Sequence, residues 1–216
     1  MADVPAGELS EEANLALAWT PLHARPATAA LLMLDQRLAG ILRQKREPML
    51  AQIRLAWWRD RLGEPVDRWP RGDMALDALR AWRQPEPLSA VVDGWEVLLG
   101  EEFGEHAINA FAQGRARGFA ALAHELGQGD SAAAALEAGR LWALADLAPN
   151  LASDDERAAV LAAARTIGPP PRLPRSLKTV AVLSGLGWRS VQRGGQPLLA
   201  GRLTAMAALR IGLFGR

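Results

Sequence analysis

Apolar residues return three and four positions apart in nearly every segment of this chain, a period that belongs to helices packed on one side and not to strands. Alternation is scarce and Tyr is absent, so little supports a sheet. An all-α protein is expected, cut into helices by its Pro and Gly. Ser10 can cap a first short helix that ends before Pro21. Pro26 to Gln44 reads as a long, mostly buried helix, because Ala29 to Leu34 offer almost no polar face until Asp35. Pro48 suits the first turn of a third helix, which stops near Gly63-Glu64-Pro65. Asp73 to Arg83 and Leu88 to Leu99 read as shorter helices. Glu105 to Leu126 is a long one closed by Gly127. Ser131 caps the next, which runs to about Leu147, where Pro149 ends or kinks it. Asp154 to Ile167 follows. Beyond the breaker Gly168-Pro169-Pro170-Pro171, Leu177 to Leu186 and Leu198 to Phe214 still show helical faces that require burial.

A chain of 216 residues supports one good core and is short for two, so a single domain spanning 1–216 is expected. The absence of Cys excludes disulfides, a thiol nucleophile and cysteine metal sites, and suits a cytoplasmic protein. No run is long enough to cross a bilayer, and the start MADVPAGELSEE lacks the basic and apolar parts of a signal peptide. The net charge of +1 hides an asymmetry. Glu156 is the last acid, and the ten Lys and Arg from Arg157 onward oppose a body in which 24 acids outnumber 15 bases. A basic tail of this kind suits an anionic membrane surface or an acidic partner, or else packs on the acidic body itself. Nucleic acid is not expected, since only Trp188 and Phe214 in that region could stack on bases.

The most specific motif lies between Pro21 and Leu62. An early helix rich in Ala and Leu is followed by Arg46-Glu47-Pro48, then by Ile53-Arg54-Leu55 running into Trp57-Trp58-Arg59-Asp60. In that order these residues resemble the front of the squalene/phytoene synthase family. The resemblance continues through Val92-Asp93-Gly94-Trp95-Glu96, through Phe111 to Gly127, through Ala138 to Leu144 and through Arg172-Leu173-Pro174. It implies the isoprenoid synthase-type helical bundle in shortened form, around a mainly apolar cavity.

The chain departs from that family where the chemistry resides. A prenyl synthase must ionise a diphosphate ester, and magnesium, held by carboxylates, carries the leaving charge. Where the family has its first acidic cluster, the equivalent turn here reads Ala39-Gly40-Ile41-Leu42-Arg43. Ala39 and Gly40 offer no ligand and Arg43 repels a cation. Arg43 either binds phosphate through its fork of donors or is a solvated charge at a helix end. Where the second acidic motif belongs, the chain offers Asp146, Asn150 and Asp154 at four-residue spacing, interrupted by Pro149; Asp154-Asp155-Glu156 is equally an acidic first turn of the next helix. Phe111 stands where a synthase commonly has Tyr, and Arg117 where it has a small residue. The resemblance therefore points to a degenerate member without catalytic residues or cofactor, close to the branch that includes a mitochondrial complex I assembly factor. That branch implies a bacterial assembly or lipid-handling factor peripheral on the inner membrane, with an anionic membrane surface, a prenyl lipid or a respiratory-complex subunit as partner. Arg43, Arg54, Trp58 and Asp93 are its candidate substrate- or anion-binding residues. The alternative is an active head-to-head prenyltransferase that holds Mg2+ through Asp93, Asn150 and Asp154.

Further expectations come from the residues. Arg54 is expected to be at least partly buried and paired with an acid such as Asp93 or Glu96, because an unpaired buried guanidinium is costly. Trp57 and Trp58, about 100° apart on a helix, cannot both face the core. His23, His106 and His124 have no metal-site spacing, and Gly185-Leu186-Gly187 lacks the preceding strand of a dinucleotide fold. Finally, Leu198, Leu199, Leu203, Met206, Leu209, Leu213 and Phe214, with Arg202, Arg210 and Arg216, form a basic amphipathic stripe that either lies on an anionic membrane or completes the core.

Overall fold

The computed structural model describes residues 9–43, 48–100 and 102–199, and among them every regular element is helical. Among the described residues nine α-helices run in chain order: α1 Glu11–Ala18, α2 Arg25–Arg43, α3 Pro48–Gly63, α4 Met74–Leu79, α5 Ser89–Glu96, α6 Glu105–Glu125, α7 Ala132–Leu147, α8 Asp154–Ile167 and α9 Lys178–Gln192. The protein is an all-α bundle.

Local chemistry explains most boundaries. The Ser10 hydroxyl accepts from the Ala13 N–H at 3.4 Å, Asp73 accepts from Ala75 at 3.0 Å and Leu76 at 3.2 Å, and Ser153 accepts from Glu156 at 3.3 Å. Each satisfies backbone donors that a helix start leaves open. Gly127 takes the left-handed conformation, φ 69°, after α6 and allows the chain to reverse. Ser131 does not cap α7 through its side chain; it lies instead in a 3-10 turn, Gly129–Ser131, that leads into the helix. Asp73 becomes the cap of α4 and not its first residue, so that helix is shorter than its apolar pattern suggests.

Helix α6 is central, packing against α5 and α7 and reaching α2 and α8. Its approach to α5 is set by glycine. A Cβ at Gly114 would lie 2.4 Å from the Gly94 Cα and 2.7 Å from the Ala90 carbonyl oxygen, so the two backbones touch. The α6–α7 contact uses the same device, since a Cβ at Gly139 would sit 3.0 Å from the Ala116 Cα. Around these crossings Phe111, Phe119, Leu122, Leu141 and Leu144 are fully buried in one core cluster that extends from Ala13 to Leu198. Helix α9 joins the same core against α7, α8 and α1, and the Thr179 hydroxyl of α9 hydrogen-bonds with that of Thr20, just after α1. The residues after the triple proline thus continue the bundle as far as Leu198, which is buried. The rest of the proposed stripe, from Leu203 through Phe214 with Arg202, Arg210 and Arg216, lies outside the described residues, as does Arg46.

Candidate functional site

The polar centre of the bundle is Arg115, whose side chain is 2% exposed. Its position follows from the glycine crossing: Gly114 lets α6 meet α5 backbone to backbone, and the next residue projects between α2, α5 and α7. There Nε and Nη2 of Arg115 donate to the two carboxylate oxygens of Asp35 on α2, at 2.9 and 2.6 Å. Nη1 donates to Asp146 on α7 at 2.8 Å. The Trp95 indole on α5 donates to the same Asp35 at 2.9 Å. The guanidinium carbon lies 4.0 Å from the Trp142 ring centre, 4.6 Å from Trp95 and 5.3 Å from Phe111. Three hydrogen-bonded edges and three aromatic faces thus replace water around the cation.

The charges in this centre do not balance locally, because one guanidinium faces two carboxylates. Burial alone would lower the Arg115 pKa, yet Asp35 and Asp146 outweigh it and hold the group above its ordinary value. Asp146 goes the other way from a usual ion-paired acid. Burial pushes its carboxyl up, Arg115 offsets only part of this, and the charges of Asp35 and Glu12 add to the rise. The physical reading is that Arg115 is committed to Asp35 through both oxygens, leaving Asp146 as the surplus negative charge. Arg115 thus offsets one of the two carboxylates and ties α2, α5, α6 and α7 together.

A second cluster joins α3 to α5. Arg59 Nε donates to Asp93 at 2.7 Å and its Nη2 pairs with Glu96. Partial burial would lower the Arg59 pKa, but Glu96 and Asp93 together hold it above the ordinary value. Asp93 and Glu96, the acids expected for Arg54, are instead paired with Arg59, and Arg54 is exposed instead of partly buried. Arg54 and Arg59 are related by a rotation of about 140° and flank the buried stripe on opposite sides, with α5 on the Arg59 side.

The remaining candidates are dispersed. Trp58 is buried against the core while Trp57 faces outward, the two rings edge to face with centres 5.3 Å apart. Arg43 is exposed in the last turn of α2, and Ala39 and Gly40 lie inside that helix, not in a turn. The four-residue stripe Asp146, Asn150, Asp154 is broken: α7 ends at Leu147, a 3-10 turn follows, and Asp154 opens α8, where it pairs with Arg157 at 2.7 Å. The Asn150 side chain donates to the Asp146 backbone carbonyl at 2.7 Å. Arg117 is exposed, and Phe111 is buried beside Arg115.

A magnesium ion of the kind the family resemblance implies does not fit these side chains. Both oxygens of Asp35 and one of Asp146 already accept from Arg115, Asp93 is held by Arg59, and Asp154 by Arg157. Among the described residues no three His, Asp or Glu converge as a metal site. The sequence alone does not single out Arg115, although a signal exists: it interrupts the apolar series Phe111, Phe119, Leu122 of α6, and Asp35 and Asp146 interrupt LLML and LWALA in the same manner. No protein-family model matches the chain, and neither a curated protein nor a solved structure matches it.

Proposed function

We propose that this chain is a degenerate, non-catalytic relative of the squalene/phytoene synthases, an isoprenoid synthase-type bundle that serves as an assembly or lipid- or isoprenoid-binding factor at a membrane. The observation that carries the reading is Arg115. A catalytic bundle of that type needs carboxylates on facing helices with oxygens open to a divalent cation. Here Asp35, buried on α2, and Asp146, partly exposed on α7, face the same internal guanidinium, so the protein supplies its own cation where an enzyme would recruit one. The polar centre then stabilises a binding scaffold. Among the described residues no helix is long and apolar enough to cross a membrane, which fits attachment from one side.

The test is diphosphate release from farnesyl and geranylgeranyl diphosphate with Mg2+ or Mn2+. The reading expects no release above a protein-free control. Product formation that Asp154→Ala abolishes would replace it with the active head-to-head prenyltransferase.

A further inference from the structure

We propose that the start of α9 binds a phosphate monoester, through the backbone N–H groups of Arg175 and Ser176, the Ser176 hydroxyl and the charged ends of Arg175 and Lys178. The site lies outside the polar centre and is independent of the non-catalytic reading. A 3-10 turn, Arg175–Leu177, runs without a break into the 15-residue helix α9. A helix start leaves its first N–H groups open. Here Leu177 and Lys178 donate to the carbonyls of Pro174 and Arg175, whereas the N–H groups of Arg175 and Ser176 have no backbone acceptor. No side chain caps this start either. Buried polar side chains are normally hydrogen-bonded. Among the described residues eight polar or charged residues are buried, and all but Ser176 make a side-chain hydrogen bond. Ser176 is 7% exposed, and its hydroxyl has no partner. In a helical turn the Cα–Cβ bond tilts toward the N-terminus, so this hydroxyl leans to the same end as the open N–H groups.

Charge selects the ligand. Arg175 is exposed and Lys178 partly so, and three residues apart they stand on one side of the turn. Among the described residues neither forms an ion pair, and the chain has no acid after Glu156. The neighbouring element is the end of α1, where the Thr179 hydroxyl donates to the Ala16 carbonyl at 3.4 Å. The last carbonyls there are already covered by a cation, since Arg25 donates to Ala18 at 3.0 Å and to Thr20 at 2.8 Å. The acids of α1, Glu11 and Glu12, stand at its other end. A water molecule would satisfy the Ser176 hydroxyl and leave both cations unpaired. A tetrahedral dianion offers oxygens to two N–H groups and a hydroxyl, and its charge matches one guanidinium and one ammonium.

The test follows the backbone amide resonances of the full chain by NMR during addition of glycerol 3-phosphate, inorganic phosphate or acetate at constant ionic strength. Both phosphates should shift the Arg175 and Ser176 amides to saturation, while acetate should not. The start of α8, which Ser153 caps, should stay in place. Ser176→Ala should weaken binding about tenfold, the worth of one hydrogen bond to a charged group. It should not lower the melting temperature, because the hydroxyl has no partner to lose; a purely structural hydroxyl would give the reverse pattern. Arg175→Gln combined with Lys178→Gln should abolish saturation. Sedimentation with vesicles of phosphatidic acid or phosphatidylglycerol in phosphatidylcholine identifies the source. Pelleting with phosphatidic acid only, lost in Ser176→Ala, assigns the phosphate to a lipid headgroup, and saturation by soluble phosphates without pelleting assigns it to a free ester. Wild-type affinity in Ser176→Ala, equal saturation by acetate, or no binding of either soluble phosphate or phosphatidic acid each overturns the proposal. Failure here leaves the non-catalytic reading standing, since diphosphate release measures that separately.

Discussion

Replacing Arg115 with Met keeps an unbranched apolar stem and removes the charge and the donors together with the outer part of the side chain. The loss falls on both acids at once, because Asp35 gives up two hydrogen bonds and Asp146 gives up one. Deleting one partner of a buried ion pair costs about 3–5 kcal/mol. The lost contacts with Trp142, Trp95 and Phe111 add up to about 2 kcal/mol. Against a total stability of about 5–15 kcal/mol, that is a large fraction. In urea, with a slope of about 1–3 kcal/mol per molar, the unfolding midpoint of Arg115→Met should fall by at least about 1 M. Adding Asp35→Asn and Asp146→Asn to the same chain removes the stranded charges and should recover part of the loss, although each substitution breaks the same network. An unfolding free energy for Arg115→Met within about 1 kcal/mol of wild type would refute the claim that Arg115 offsets the charge of the centre.

The other predictions concern the same centre and the crossing that places it. Asp146 is raised, so its contribution to stability is fully present below the unfolded carboxyl pKa and is lost as pH rises through the folded value. The stability advantage of the wild type over Asp146→Asn should therefore grow as pH falls from 7 toward about 4, and growth in the opposite direction would identify Asp146 as an ordinary ion-paired acid. Gly114→Ala places a Cβ against backbone atoms of α5 that cannot rotate away, so it should destabilise by about 1–3 kcal/mol in chemical unfolding despite the better helix propensity of Ala. Gly40→Ala in α2, where the nearest atom is Arg43 Nη2 at 3.9 Å, should instead be neutral or stabilising by up to about 1 kcal/mol. Equal effects at the two sites would contradict the close α5–α6 crossing.

Much of the fold is readable from short-range chemistry. Ser10, Pro48, Gly127 and Asp154 act within a few residues of where they stand, and the helices they delimit fall within one or two residues of the sequence reading. The opposed faces of Trp57 and Trp58 follow from helix geometry alone. The polar centre depends on longer-range pairing. Arg115 meets Asp35 across 80 residues and Asp146 across 31, and no local pattern pairs an arginine with acids so distant. Arg54 and Arg59 show the same limit at closer range. Both flank the buried side of α3, and the choice between them depends on which flank α5 covers, a fact of tertiary packing. Gly94 and Gly114 read as helix-weakening residues in isolation, and their purpose appears only when the two helices are placed together.

The most direct measurement of the central claim is Mn2+ binding by the purified full chain, followed by electron paramagnetic resonance with and without inorganic diphosphate. If Arg115 is the resident cation between Asp35 and Asp146, the free Mn2+ signal should match a protein-free control under both conditions. Stoichiometric loss of that signal, restored by Asp35→Asn or Asp146→Asn, would show that these carboxylates are open to metal and would contradict the account.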